Sequence, residues 1–294
     1  MHFLKRVSFL LISSLFLFSC GKEADELDLI VAPEFEVKYS FFAAGHTYGN
    51  PAVPSFGLYE PFMNAVPYIN QNENIDFGAL TGDIVIWSNI RRWDSVLFDL
   101  TKFIMPVKTI PGNHDRDYDF YNYIDSLGYS SFLHKGDLFI QLNPKQWTIK
   151  GDQLNFLREN IEQHKNNVNN IFIFVHELLW WSPKNSYNKI TINYHGRYRD
   201  STNYWTTVEP FLDSVRNDVY LIAGDVGGTD YSDPYMYHQD GNIHYVASGM
   251  GGAVADNFII IDVLIDGSVR FNIMDIMSGE PINLGGFENY QLPN

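Results

Sequence analysis

The sequence has 294 residues and a formal charge of −15, because 20 Lys and Arg stand against 35 Asp and Glu. Nucleic-acid affinity depends on neutralising phosphates with basic side chains, so this acidity argues against a nucleic-acid partner. The single cysteine excludes a disulfide within the chain, and stability must come from the hydrophobic core and any bound metal. The length is enough for one domain with a large core.

The N-terminus is typical of a signal peptide. Lys5 and Arg6 precede an apolar run over residues 7–18, which is shorter than the about 20 residues that a membrane span needs. We therefore predict a signal peptide over residues 1–19. Cys20 follows Ser19 in a pattern that resembles a bacterial lipobox, in which the cysteine is acylated and becomes the mature N-terminus. This predicts a lipid-anchored lipoprotein of the cell envelope, with the outer membrane favoured. An ordinary secretory signal with a chance cysteine is the alternative.

Residues 20–36 combine the lipidated cysteine with an acidic segment that has no sustained apolar period. This composition predicts a tether between the membrane anchor and the folded body. An acidic stretch directly after a lipidated cysteine resembles the export signals of some surface lipoproteins, but a solvated linker has the same composition. Both interpretations stay open.

The body of the chain, residues 37–294, begins with alternating strands and helices. Short apolar and β-branched runs predict strands, and apolar residues at helical spacing predict helices. The predicted strands are 37–43, 75–81, 107–110, 171–175 and 219–223, and the predicted helices lie around 93–104, 152–161 and 208–215. This succession indicates an α/β fold in which helices cover a central sheet.

The C-terminal part has a different pattern. Residues 243–247, 258–265 and 269–276 are predicted strands joined by short Gly and Asp turns, and Ile265-Asp266-Gly267-Ser268 is typical of a hairpin. We therefore expect the second half of the sheet system to be antiparallel. Crossovers followed by hairpins suit a two-sheet sandwich with helices outside.

Polar residues cluster in the turns that follow five of the predicted strands. Ligands of open α/β sheets bind outside the carboxyl ends of strands, so these turns are the candidates for chemistry. They are Gly45–Gly49, Gly82-Asp83, Gly112–Asp115, Val175–Glu177 and Gly224–Gly228.

In this order, the five turns resemble the motifs of the calcineurin-like metallophosphoesterases, which are Asp-x-His, Gly-Asp, Gly-Asn-His, a lone His and Gly-His-x-His. The resemblance runs from about Val37 to Gly252, and Gly112-Asn113-His114-Asp115 is its most specific single motif. It implies a two-sheet mixed β sandwich flanked by helices in four αββα layers. It also implies a metal-dependent hydrolase of phosphoesters.

The resemblance implies that the first of the family's two metal sites is dismantled. That site takes the Asp and His of the first motif, the Gly-Asp aspartate and the second His of the last motif. His46, Tyr48, Asp83 and Gly227 stand at those places here, so that Asp83 alone is unchanged.

The second metal site is better preserved. The family uses the same Asp, the Asn, the lone His and the first His of the last motif, and here these are Asp83, Asn113, His176 and Asp225. Two carboxylates, one amide oxygen and one imidazole suit a single divalent ion. The carboxylate in place of the last histidine favours Mn²⁺, Mg²⁺ or Fe²⁺ over Zn²⁺.

Two residues of the first motif have two interpretations each. Either His46 or Tyr48 could ligate a metal ion or lie near it, and Tyr48 is also a candidate for contact with substrate. Alternatively, both side chains could fill the vacated first site by hydrogen bonding and packing.

His114 and Asp115 are the candidate catalytic residues. In the family the matching histidine donates a proton to the leaving group or steadies the phosphoryl oxygens, which requires an imidazole near the metal. A turn histidine bonded to Asp115 is the structural alternative, and it is compatible with catalysis because a carboxylate can orient the ring.

An aromatic insertion occupies residues 178–205. Its candidates for binding substrate are Trp180, Trp181, Arg197 and Arg199, with rings stacking on a sugar or base and guanidinium groups holding phosphate or carboxylate. The alternative is a lid whose aromatic residues only cover the sandwich.

Two functions follow from these residues. The first is a cell-envelope hydrolase of phosphomonoesters or phosphodiesters, small or glycan-linked, at a reduced site with one divalent ion. The second is a catalytically inactive lipoprotein of the same fold that binds a glycan or phosphate ligand. The intact Gly-Asn-His-Asp turn and His176 favour the enzyme, and the altered first and last motifs favour the alternative.

Overall fold

Two six-stranded sheets form the centre of the computed structural model, which describes residues 36–193, 201–252 and 254–293. In chain order the strands are β1 (Val37–Ala44), β2 (Ile75–Thr81), β3 (Val107–Ile110), β4 (Ser130–His134), β5 (Asp137–Gln141), β6 (Asn170–Phe174), β7 (Asp218–Ala223), β8 (Tyr235–Asp240), β9 (Ile243–Ser248), β10 (Asn257–Leu264), β11 (Val269–Asp275) and β12 (Ile282–Asn283). The first sheet has the order β12-β11-β10-β1-β2-β3, and the second has the order β4-β5-β6-β7-β9-β8.

Both sheets are mixed. In the first sheet β1, β2 and β3 are parallel, and β10 and β11 add to β1 as an antiparallel hairpin. In the second sheet β5, β6, β7 and β9 are parallel, and β4 and β8 are antiparallel edge strands. The expectation that the C-terminal strands are antiparallel is therefore correct for β10 and β11, whereas β9 pairs in parallel with β7.

Aromatic side chains fill the space between the sheets. Alternate residues of a strand point to opposite faces, and Phe41 and Phe77 of the first sheet point inward against Phe139 and Phe172 of the second. The ring centroids of Phe41 and Phe172 lie 5.0 Å apart and those of Phe139 and Phe172 lie 4.8 Å apart. Each buried phenylalanine contributes about 2 to 3 kcal/mol of hydrophobic stabilisation.

Helices cover the outer face of each sheet. They are α1 (Glu60–Gln71), α2 (Ile90–Leu100), α3 (Tyr118–Tyr123), α4 (Asp152–His164) and α5 (Glu209–Asp213), the last preceded by a π-helical turn at Tyr204–Val208. Phe62 of α1 and Trp93 of α2 pack against the first sheet, and Leu157 of α4 and Leu212 of α5 pack against the second. The predicted four-layer α/β sandwich is confirmed.

No helix within the described ranges has the length and apolar character that crossing a membrane requires. The predicted signal peptide over residues 1–19, Cys20 and residues 21–35 of the predicted tether lie outside those ranges.

Candidate functional site

The turns after β2, β3 and β6 approach one another so closely that they require glycine. A Cβ on Gly82, which has φ +90°, would lie 2.5 Å from Nδ1 of His176, and a Cβ on Gly112 would lie 2.2 Å from Oδ1 of Asp83. No side chain fits at either position. The carboxyl ends of strands from both sheets therefore converge on one place, as predicted from the motifs.

Asp83 is the centre of this convergence. Its buried carboxylate faces three imidazoles, with Nε2 of His176 at 3.2 Å, Nε2 of His46 at 3.7 Å and Nε2 of His114 at 4.0 Å. Burial favours the neutral acid, but the facing imidazoles, His176 foremost, outweigh it and hold the pKa of Asp83 well below its usual value. The Asp83 carboxylate is therefore negatively charged and can bind a cation together with neighbouring side chains.

His176 is oriented through its far nitrogen. Nδ1 donates a hydrogen bond to the carbonyl oxygen of Thr81 at 3.0 Å, which directs Nε2 toward Asp83 and, at 3.9 Å, toward Oδ1 of Asp225. Histidine ligands of metals are usually oriented in this way. Burial opposes a charge on the ring, but the two carboxylates raise the pKa of His176 to about 10.

Two buried atoms on this side of Asp83 lack a hydrogen bond. Among the described residues, Nε2 of His176 and Oδ1 of Asp225 have no partner of acceptable geometry. Burial, assisted by the charge of Asp83, raises the pKa of Asp225 well above its usual value, against the opposing effect of His176. Unpartnered buried polar atoms are rare and call for an ion or water between them.

Side chains that sequence analysis assigned to the second metal site therefore face one another, with His176 between Asp83 and Asp225. Within the described ranges, however, no group of three or more His, Cys, Asp and Glu is arranged to hold a metal ion, so these three residues do not form a complete ligand set. Asn113, which is exposed beside His114 at the pocket, is the further candidate ligand from the sequence. Carboxylate, amide and imidazole donors suit Mg²⁺ or Mn²⁺.

The other side of Asp83 is filled. Nδ2 of Asn193 donates to Nε2 of His46 at 2.6 Å, so that this nitrogen accepts a hydrogen bond and the proton of the ring lies on Nδ1. Burial lowers the pKa of His46 to about 4, despite the opposing effect of Asp83. A Cβ on Gly228 would lie 2.6 Å from Cε1 of His46. Nδ1 of His46 has no hydrogen-bond partner among the described residues. The hydrogen bond to Nε2 favours the filling of the vacated site, and metal ligation by His46 stays a prediction.

Tyr48 packs over His46 and lies between it and the pocket. Its ring centroid is 4.3 Å from that of His46 and 5.5 Å from that of His114. Burial, followed by the charge of Asp83, raises the pKa of Tyr48 far above its usual value. The phenol is therefore neutral, and its contact with substrate remains a prediction.

His114 is oriented by the backbone and not by Asp115. Its Nδ1 lies 2.8 Å from the carbonyl oxygen of Ile86, to which it donates, and Nε2 faces Asp83. Asp115 is fully buried and accepts backbone hydrogen bonds from Gly112 at 2.7 Å and Val85 at 2.9 Å. It joins two site turns, so a positioning role replaces the predicted catalytic role.

A pocket of about 500 Å³ opens beside these residues. It is lined by Tyr48, Pro51, Asn113, His114, Asn193, Thr229 and Tyr231. The sequence-predicted His114, Asn113 and Tyr48 thus share one cavity.

The tryptophans of the aromatic insertion are elsewhere. Trp180 is fully buried and packs on Tyr245 with ring centroids 5.2 Å apart, and Trp181 donates from Nε1 to the carbonyl oxygen of Ile190. Both belong to the core over the second sheet, because the insertion covers that sheet. Their predicted contact with substrate does not fit this burial. Arg197 and Arg199 lie outside the described residues.

One functional feature has no counterpart in the sequence analysis. The guanidinium of Arg116 makes a bidentate ion pair with Glu177, donates from Nε to Oδ1 of Asn143 at 2.6 Å and from Nη2 to the carbonyl oxygen of Pro111 at 3.1 Å. It ties the turn of Asn113 to that of His176. The sequence signal for this pair was two opposite charges: Arg116 directly follows the Gly-Asn-His-Asp motif, and Glu177 directly follows His176.

Comparison with known proteins agrees with this site. The family model of the calcineurin-like phosphoesterases matches residues 46–226, which is more than half of the chain. The chain belongs to the calcineurin-like phosphoesterase family. The predicted family is therefore confirmed, and it supports phosphoester hydrolysis as the general class of activity. Membership also implies the use of divalent metal.

Solved structures share the fold of this family member. A dimetal phosphatase from Danio rerio superposes with a TM-score of 0.59 at 12% identity, covering 85% of this chain and 99% of that chain. A predicted phosphoesterase from Streptococcus pneumoniae gives a TM-score of 0.36 at 9% identity, covering 84% and 97%, which is too low to support a conclusion. The first likeness confirms the fold alone. No curated protein matches the sequence significantly.

Proposed function

We propose that this chain hydrolyses small phosphomonoesters or phosphodiesters at one divalent ion held by Asp83, Asn113, His176 and Asp225. The observation that carries the proposal is that two candidate ligand atoms, Nε2 of His176 and Oδ1 of Asp225, are buried beside the anionic Asp83 without hydrogen-bond partners. Family membership supplies the class of reaction.

The residues around the site have separable tasks. When bound, the ion supplies a Lewis acid for the phosphoryl oxygens and lowers the pKa of water. His114 keeps Nδ1 on the carbonyl of Ile86 and holds a proton on Nε2, which it gives to the departing alkoxide. Arg116 and Glu177 fix the two turns against each other, and this preserves the alignment that proton transfer needs.

A second candidate function has its own observation. Asn193 and Tyr48 contact His46 in the half of the site where the resemblance implies one of two ions, and this supports a site with fewer ions. A protein that binds a phosphate or glycan ligand without turnover would also suit this arrangement.

A phosphoester screen with Mn²⁺, Mg²⁺, Fe²⁺ and Zn²⁺ tests the proposal. The parent, Asp83→Ala and His176→Ala are compared on monoesters and diesters, with binding of inorganic phosphate measured in parallel. Metal-dependent turnover that is lost in both variants is expected. Turnover that survives both changes would place the chemistry elsewhere, and phosphate binding without turnover would favour the second candidate.

We also propose that Cys20 anchors the protein in the cell envelope, on the support of the lipobox-like sequence. The parent is expected in the membrane fraction that only detergent releases, and the Cys20→Ala variant is expected to be lost from that fraction. Equal membrane retention of parent and variant would contradict lipidation.

A further inference from the structure

Two aromatic side chains stand exposed on the surface next to the site. Phe56 is 55% exposed and Trp87 is 63% exposed, whereas the large aromatic residues of the core are buried. The guanidinium of Arg92 lies between them, with Cζ 5.0 Å from the centroid of Phe56 and 5.5 Å from that of Trp87. Nη1 of Arg92 also donates to the carbonyl oxygen of Ser55 at 2.7 Å. We call Phe56, Trp87 and Arg92 the aromatic platform.

Each ring of the platform is one residue away from a residue bonded to the site. Phe56 follows Ser55, whose backbone N–H donates to the carbonyl oxygen of Tyr48 at 2.9 Å. Trp87 follows Ile86, whose carbonyl oxygen accepts from Nδ1 of His114 at 2.8 Å. The backbone that carries the platform is therefore bonded directly to two residues that line the pocket, Tyr48 and His114.

The platform is fixed before any ligand arrives. Arg92 is held by one hydrogen bond and two ring contacts, so the rings lose little freedom on binding. Val53, which is 78% exposed, and Ile90, which is 52% exposed, are further exposed apolar residues within three positions of Phe56 and Trp87 in the sequence. Exposed apolar surface at the rim of a polar pocket is a feature of ligand-binding grooves.

We propose that the aromatic platform binds the leaving group of the substrate, and that this leaving group carries an aromatic or similarly flat apolar ring. The inference rests on the proposed function, because the role of His114 defines the side on which the leaving group departs. Stacking on Trp87 and Phe56 then selects among phosphoesters that present the same phosphoryl group.

The test uses two substrates that differ only in the ring. Propyl phosphate and 3-phenylpropyl phosphate have leaving alcohols of similar acidity, so the ratio of their kcat/KM values reports the contact with the ring. The parent is expected to prefer the phenyl compound by about tenfold. Trp87→Ala is expected to remove most of this preference and Trp87→Phe to keep most of it. Phe98→Ala is the control, since Phe98 is 66% exposed on α2 outside the platform, and it should keep both values.

A binding measurement separates this inference from the proposed reaction. The affinities of propylphosphonate and 3-phenylpropylphosphonate are compared by calorimetry in the same proteins. A phenyl preference that depends on Trp87 without any turnover would contradict hydrolysis and support the platform. Equal affinities and equal kcat/KM values in the parent would overturn the platform while leaving hydrolysis intact.

Discussion

Asp83 has a buried histidine on each side, and the pKa values of the two histidines are shifted in opposite directions. On one side Nε2 of His46 accepts a hydrogen bond from Asn193 and burial lowers the pKa of the ring to about 4, so the ring is neutral. Its Nδ1 has no hydrogen-bond partner among the described residues. On the other side His176 is buried as well, but Asp83 and Asp225 raise its pKa to about 10. Burial is common to both imidazoles, and the number of facing carboxylates decides which of them is prepared for a cation.

The altered motifs explain how this difference arose. Asp225 stands where the resemblance implies a histidine, and its Oδ1 lies 3.9 Å from Nε2 of His176. Gly228 leaves room for the ring of His46, since a Cβ there would lie 2.7 Å from its Nε2. The altered first motif therefore places the ring of His46 in one half of the site. The altered last motif places an oxygen ligand, Asp225, beside His176 in the other half.

Removal of the shared carboxylate should have the largest effect. Asp83→Asn leaves three imidazoles facing a neutral amide, and kcat/KM should fall at least about 1,000-fold, which is about 4 kcal/mol of transition-state stabilisation. Metal content should fall in parallel. Asp262→Asn is the matched control, because Asp262 is a buried carboxylate bonded to Ser40 and Arg270 away from the site. Turnover that is retained in Asp83→Asn would show that neither half of the site around Asp83 catalyses the reaction.

Loss of the proton donor should have the next largest effect. His114→Gln should lower kcat about 100-fold while the metal content stays unchanged, because His114 is expected to transfer a proton and not to ligate. His134→Gln, whose histidine bonds to Asp76, serves as the control. Loss of metal in His114→Gln would make His114 a ligand and contradict this division of roles.

The neutral state of His46 predicts a pH dependence of stability. The folded-state pKa of about 4 lies below the ordinary value of 6.5, so the unfolded chain takes up the proton first. The stability from this group is complete above about pH 6.5 and is lost as the pH falls toward 4, by up to about 3 kcal/mol. Urea unfolding at pH 6.5 and 4.5 should show a larger loss in the parent than in His46→Gln. Equal losses would mean that His46 is charged in the folded protein.

Removal of the amide that satisfies His46 should have the smallest effect. Asn193→Ala leaves Nε2 of His46 without its donor and should lower the free energy of unfolding by about 1 to 2 kcal/mol. Metal stoichiometry should stay that of the parent, with Asn185→Ala as a control in the same insertion. Uptake of an additional ion by Asn193→Ala would reveal His46 as a latent ligand.

Local pattern predicted much of the fold and several of the residues that the fold brings together around Asp83. The limits of β2 and β3 agree with the prediction. β2 is a buried parallel strand and leaves a nearly unbroken apolar signal, whereas the edge strand β3 is delimited by Pro106 and by the Pro111-Gly112 turn. The hairpin of β4 and β5 was not predicted, since Leu133 is exposed and the partly polar β4 lacks clear alternation.

The partnerships within the site could not be predicted because they join distant residues. Asn193 is 147 positions from His46, and Arg116 is 61 positions from Glu177. The sequence also did not determine whether Trp180 lies in the core or in the wall of a substrate pocket, since both environments suit the same aromatic residues. Only packing decides between them.

The number of metal ions per chain tests the central claim most directly. The protein is loaded with excess Mn²⁺, freed of weakly bound ions by gel filtration and measured by elemental analysis, with Asp83→Asn as the blank. We expect one tightly held ion per chain, because Nε2 of His176 and Oδ1 of Asp225 have no hydrogen-bond partners, whereas Nε2 of His46, the ring nitrogen nearest Asp83, accepts a hydrogen bond from Asn193. Two ions per chain would contradict the filled half-site around His46.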